Sequence, residues 1–188
     1  MKNRNLAELK LEIQLQAKYG IEFMVSAGII WCVIAYIWTL EYSSFDRSIL
    51  TFIVGAVMLP LAFGLSKIFK TKWKIKDNPL DSLGLWLNFA QLIYFPFLIF
   101  TLLKFPDYFI MAYAIITGAH LFPYAWFYDE IGYAVFAVVI SVGALLITLN
   151  VDASSVWIVP LFTAGSLFLL AGWIGVRISK SPKKQGAH

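Results

Sequence analysis

From Tyr19 to Leu40 the chain reads YGIEFMVSAGIIWCVIAYIWTL, an almost unbroken apolar run whose single charge is Glu22. At a rise of 1.5 Å per residue such a helix reaches about 33 Å, and the hydrocarbon core of a bilayer, about 30 Å thick, needs about 20 mostly apolar residues. This stretch is long enough to cross a membrane. Five more like it follow: Ile49 to Ser66, Leu83 to Leu103, Tyr108 to Tyr128, Ile131 to Leu149, and Ser155 to Val176. The reading is an all-α, multi-pass membrane protein of six transmembrane helices, with a leading segment 1–18, a membrane domain 19–176 and a basic tail 177–188.

Composition agrees with the span count. The chain of 188 residues is 60% hydrophobic and 14% charged, with a mean hydropathy of +0.76, against about 45–50% apolar and about 25% charged in a soluble domain. A water-soluble globule and a disordered chain are both excluded. The one cysteine, Cys32, rules out an intrachain disulfide, and no Cys/His cluster has zinc spacing. The first apolar run begins only after a polar or mixed segment and is too long for a signal-peptide core, so it is expected to stay in the mature protein.

Orientation follows from the basic residues, which concentrate on the cytoplasmic flanks of spans. Lys2, Arg4, Lys10 and Lys18 precede the first span; Lys67, Lys70, Lys72, Lys74 and Lys76 lie between the second and third; Arg177, Lys180, Lys183 and Lys184 follow the sixth. In a six-span threading all of these share one side, leaving only Arg47 and Lys104 on the other. Both termini are therefore expected in the cytoplasm, with the protein in the cell membrane. The lysines from Lys67 to Lys76 suit anionic lipid headgroups, at about 1 kcal/mol per basic residue, and call for no nucleic acid. Residues Leu6, Leu9, Ile13 and Ala17 give the leading segment a helical stripe, read either as an interfacial anchor or as a partner-binding helix.

An internal repeat is suggested at an offset of sixty-three residues. Gly55, Ala56, Pro60 and Ala62 of the second span coincide with Gly118, Ala119, Pro123 and Ala125 of the fourth, and Trp31 of the first falls on Tyr94 of the third. Hairpins repeated in one orientation are expected, each kinked at the shared proline.

Ionisable groups inside a span are functional candidates by default, and Glu22 and His120 are the two here. His120 and Tyr124 are four apart on one face of the fourth span. Asn88 and Gln91 are three apart at nearly the same depth in the third, and Glu22 and Ser26 four apart in the first. Facing one another, they predict a polar pocket in the cytoplasmic half of the bundle, with Tyr94 and Trp31 as aromatic walls. The bland alternative is that these groups act as interhelical glue, at about 0.6 kcal/mol each. No hydrolase, zinc-protease or phosphate-loop motif makes the chain an enzyme. A metal site from Glu22, His120, Asp129 and Glu130 has only one histidine, so no metal and no cofactor is expected.

The stretch Asp77-Asn78-Pro79-Leu80, with Gly118-Ala119-His120, Pro123-Tyr124 and Trp126-Phe127-Tyr128, resembles an uncharacterised family of small polytopic bacterial membrane proteins, a domain of unknown function. The resemblance implies a bacterial membrane setting and draws weight to the His120 segment, but it implies no activity. Two functions stay open: binding or transport of a small molecule or proton in the pocket, and a non-catalytic interaction protein such as a sensor subunit, scaffold or immunity factor. A homo-oligomer is compatible with both.

Overall fold

A computed structural model describes residues 4–180; the tail lysines Lys183 and Lys184 lie outside the described residues. Within them every regular element is helical, and six helical stretches are long and apolar enough to cross a membrane.

Helix α1 (Leu6–Ala17) starts at a reciprocal cap. The Asn5 side-chain oxygen accepts from the Glu8 backbone N–H at 2.9 Å, and the Glu8 carboxylate accepts from the Asn5 N–H at 3.3 Å, which satisfies two donors that a helix start leaves free. It ends at three consecutive residues with left-handed backbone, Lys18 at φ 45°, Tyr19 at 55° and Gly20 at 69°. Only glycine takes such angles at no steric cost, so Lys18 and Tyr19 must be held by their surroundings. They are: the Lys18 ammonium donates to the Phe69 carbonyl at 2.7 Å, and the Tyr19 carbonyl accepts from the Tyr133 hydroxyl at 2.5 Å. The chain turns there into α2 (Ile21–Thr39), the first span.

The second span is two helices, α3 (Ser44–Gly55) and α4 (Met58–Phe69), separated at Ala56 and Val57. Pro60 has no N–H to offer the Ala56 carbonyl, and a proline is tolerated in the first turn of a new helix. The third is likewise α5 (Leu80–Ala90) and α6 (Phe95–Lys104), joined by a 3₁₀ turn over Gln91–Tyr94. Here Pro96 withholds its N–H from Leu92, whose carbonyl accepts from Phe95 instead. The fourth, fifth and sixth spans are α7 (Phe109–Phe127), α8 (Gly132–Asn150) and α9 (Ile158–Lys180).

The expected kink at a shared proline is corrected by this backbone. Pro60 breaks its span, whereas α7 runs helical through Pro123, where only the bond to the Ala119 carbonyl is removed, one turn before the helix ends. The third span breaks at Pro96, which has Val33 at the corresponding place in the first. The aligned residues therefore do not impose one shape on the two hairpins.

Packing divides the spans into a core and a periphery. Helix α2 lies against α9 and α4, and α7 lies along α8, where Gly118 permits the approach: a Cβ there would stand 2.6 Å from the Ser141 hydroxyl. Without a hydrophobic drive between helices in lipid, such close backbone contact supplies the attraction. In the most apolar window of the first span 67% of residues are buried, in that of the third only 6%. The third span is thus laid on the outside of the bundle. Large apolar side chains such as Ile93, Leu149 and Leu169 stand exposed along the spans, a surface far too apolar for water.

The segments carrying the described basic clusters meet at one end. The connection 70–79 donates the Lys72 N–H to the Gln16 carbonyl and the Asn78 amide to the Leu9 carbonyl, both at 3.0 Å. Lys10 sits 3.9 Å over the Trp126 ring, and Arg177 reaches the turn after α7. Helix α1 therefore packs on protein along part of its length, with Ile13 buried.

Candidate functional site

Four tyrosines and a histidine line up at the basic end because α7 and its C-cap residue present positions 120, 124 and 128 one turn apart. The Tyr124 ring meets His120 edge-on at 5.4 Å and stacks near Tyr128 at 5.9 Å and Tyr133 at 5.8 Å. Tyr128 stacks on Tyr133 at 5.5 Å and reaches Tyr19 at 6.2 Å. The Tyr124 hydroxyl donates to the Asn88 amide oxygen at 2.9 Å, and the Asn88 amide donates back to its own helix at the Gly84 carbonyl, 3.0 Å. The row runs from the seam between the third and fourth spans to the left-handed turn at Gly20.

His120, Tyr124 and Asn88 are brought together directly. His120 is half-buried and makes no side-chain hydrogen bond among the described residues; the same holds of Gln91, on the 3₁₀ turn that lies against α7. Ser26 is buried, but its hydroxyl is engaged by the Glu22 carbonyl of its own helix at 2.6 Å.

Glu22 is 1% exposed and sits at the far side of the row. Its carboxyl faces the Thr71 hydroxyl and the Trp73 indole of the connection 70–79. One of its oxygens and the Thr71 hydroxyl are buried without a hydrogen-bond partner among the described residues.

Two expected aromatic walls stand elsewhere. Tyr94 is 52% exposed on the outer face of the third span. Trp31 is buried, but against Tyr113 at 5.2 Å, in a cluster with Phe52 and Phe109. Similar depth did not place them near His120, because depth along a helix says nothing about which way a side chain points around it.

Sequence reasoning weighed Glu130 only as a metal ligand and missed the role it has here. Glu130 has a fully buried side chain that accepts from Arg177 Nε at 2.6 Å, Trp173 Nε1 at 2.9 Å and the Gly132 N–H at 3.2 Å. Burial alone would raise this carboxyl, but the hydrogen bonds from Arg177, Gly132 and Trp173 together with the Arg177 charge hold it below the usual carboxylate range. It ties the turn between the fourth and fifth spans to the end of the sixth. The signal was present: an even span count puts Asp129-Glu130 and Arg177 at the same end.

Lys67, Lys70, Lys72, Lys74 and Lys76 are all exposed around this end. Trp73 is held among them by Phe23 at 5.2 Å and Phe63 at 5.5 Å. An open apolar hollow of about 220 Å³ lies between α6 and the start of α7, lined by Phe100, Phe105, Tyr108 and Met111 among others, and none of the expected site residues reaches it.

Six apolar spans, of which α2, α7, α8 and α9 form the core, with a polar aromatic row inside one end, define an all-helical multi-pass membrane protein. Neither the curated proteins nor the solved structures provide a match. The chain belongs to the family DUF7010, a family of unknown function, whose model matches residues 6–177.

Proposed function

We propose that this membrane protein binds, and passes, a small polar molecule or a proton at the seam between the third and fourth spans. The observation that carries the reading is His120: an imidazole inside a span, half-buried, without a hydrogen bond among the described residues. Polar side chains at that depth need partners, and Gln91 faces the same need. The Tyr124–Asn88 bond supplies a fixed edge beside them. The third span, so thinly buried, can part from the fourth without dismantling the core. By the positive-inside rule the basic end is the cytoplasmic one, both termini lie there, and the exposed lysines hold anionic headgroups of the cell membrane.

Thermal-shift screening against a broad panel of small polar compounds, followed by uptake into proteoliposomes, tests this on the native protein and His120→Ala. Stabilisation or uptake that the substitution abolishes supports it. Identical behaviour of the two proteins across the panel counts against it. A second reading draws on the same thin burial of the third span: its outer face suits another membrane helix, from a second copy or a different protein, in a non-catalytic complex. Crosslinking from Tyr94 that recovers one stoichiometric partner, unaffected by His120→Gln, would favour that alternative.

A further inference from the structure

We infer that Glu22 is a proton-binding site closed by a cap made of α1 and the connection 70–79, and that the carboxyl exchanges its proton when this cap lifts. The inference does not rest on a ligand at His120.

The first observation is an unmet electrostatic need. Glu22 is 1% exposed, and among the described residues no cation lies within ion-pairing distance of it and one carboxyl oxygen has no hydrogen-bond partner. A buried carboxylate without a counter-charge is among the costliest arrangements in a protein, and the ordinary resolution is neutralisation by a proton. The orphaned Thr71 hydroxyl faces it. A proton added to the unpartnered carboxyl oxygen turns an acceptor into a donor, and the hydroxyl oxygen opposite is an acceptor for it. A proton removes the buried charge, and the Thr71 hydroxyl, which can both donate and accept, can serve the acid once the two groups close to bonding distance.

Among the described residues no charged group that faces Glu22 pairs with it, and Lys70, Lys72, Lys74 and Lys76 of the covering connection are exposed. Lys18, on the preceding turn, directs its ammonium to the Phe69 carbonyl at 2.7 Å. From α4, Lys67 lies 4.6 Å over the Phe63 ring. The cations of α9 are Arg177 and Lys180 at its last turn, and Arg177 is bound to Glu130. Tyr128, at the end of α7, and Tyr133, in α8, are buried phenols of the tyrosine row and offer no cationic group.

The second observation is the closure. Over Glu22 the Trp73 ring stacks on Phe23 at 5.2 Å. The strand of chain that carries it is pinned to α1 by the Lys72 N–H on the Gln16 carbonyl and by the Asn78 amide on both the Leu9 carbonyl, 3.0 Å, and the Glu12 carboxylate, 2.9 Å. Arg4 joins from the start of α1, on Glu12 at 2.7 Å and on the Asp77 carbonyl. These are polar contacts at a water-facing end, and the left-handed turn Lys18 to Gly20 is the joint about which α1 meets the span. Ile13 and Ile75 also seat the cap on the core, so it opens as a unit, with these side chains leaving together with the hydrogen bonds.

Infrared difference spectroscopy on the full chain in lipid nanodiscs, with no ligand added, reads the proton directly. Stepping the pH should produce a carboxylic C=O band that is absent in Glu22→Gln. Where that variant fails to fold, Glu22→Asp, which keeps a carboxyl at the same place in the chain, should shift the frequency of the same band. Asn78→Ala, which removes two hydrogen bonds of the cap, should speed hydrogen–deuterium exchange of the band about tenfold. A spectrum with no Glu22-dependent band, or with one indifferent to pH, overturns the inference. So does a band that responds to sodium at fixed pH, which would assign the site to a metal cation instead. An exchange rate unchanged by Asn78→Ala overturns the cap.

Discussion

Gly20→Ala isolates the turn on which the basic end is built. The residue sits at φ 69°, and a Cβ added there would stand 2.9 Å from the Tyr128 hydroxyl oxygen, with the next ring atoms at 3.4 and 3.5 Å. The left-handed backbone costs an alanine about 1–2 kcal/mol. The contact adds about 1–3 kcal/mol of overpacking, because Tyr128 cannot swing away: it is buried and held by Tyr124, Phe127 and Tyr133. The sum, about 2–5 kcal/mol, is a large share of the roughly 5–15 kcal/mol that keeps a typical domain folded. Tyr128→Phe removes the clashing oxygen, which makes no hydrogen bond among the described residues, and leaves only ordinary contacts. In that background Gly20→Ala should cost only the backbone part, about 1–2 kcal/mol. A double-mutant cycle by denaturant unfolding in mixed micelles measures the difference. If the two changes add within about 0.5 kcal/mol, the contact between the turn and the tyrosine row is not what makes glycine necessary, and the reasoning fails.

Two other substitutions probe the row and the latch. Glu130→Ala should destabilise by about 2–3 kcal/mol, since it leaves the Gly132 and Trp173 N–H groups without their acceptor, whereas Glu130→Gln, which keeps an acceptor in place, should cost less. Because the folded chain holds this carboxyl below its ordinary range, its contribution is complete above the unfolded value of about 4.3 and is lost as the pH falls through the lower folded value. Unfolding followed from neutral to acid pH should show that loss in the native chain and not in Glu130→Gln. Tyr124→Phe removes the donor to Asn88 and should lower stability by about 0.6–1.7 kcal/mol, the range for hydrogen bonds between membrane helices; an equal loss in an Asn88→Ala background would show that the two side chains do not act together.

How far residue order alone leads is clearest at particular positions. The six spans were legible because length and hydropathy are properties of a segment by itself, and a lipid crossing leaves little choice of structure. The alignment of His120 with Tyr124 and Tyr128 followed from helical spacing in the same way, and Asn88 was found because depth matched and azimuth happened to agree. For Trp31 and Tyr94 azimuth did not agree, and it is fixed by packing among helices rather than by either helix. The cap over Glu22 was hidden for another reason. Its bonds join Leu9, Glu12 and Gln16 to Lys72 and Asn78 through backbone carbonyls and irregular chain, and no periodicity announces such contacts. Glu130 lay between: its partner Arg177 was readable from topology, but its burial required the indole of Trp173 to come from the same distant helix.

A span with so little of its surface against its neighbours takes its place chiefly from acyl chains. Membrane thickness and detergent chain length therefore become determinants of this protein's architecture, and a micelle too small to clothe that outer helix would dissolve one wall of the bundle while the remaining five crossings kept theirs.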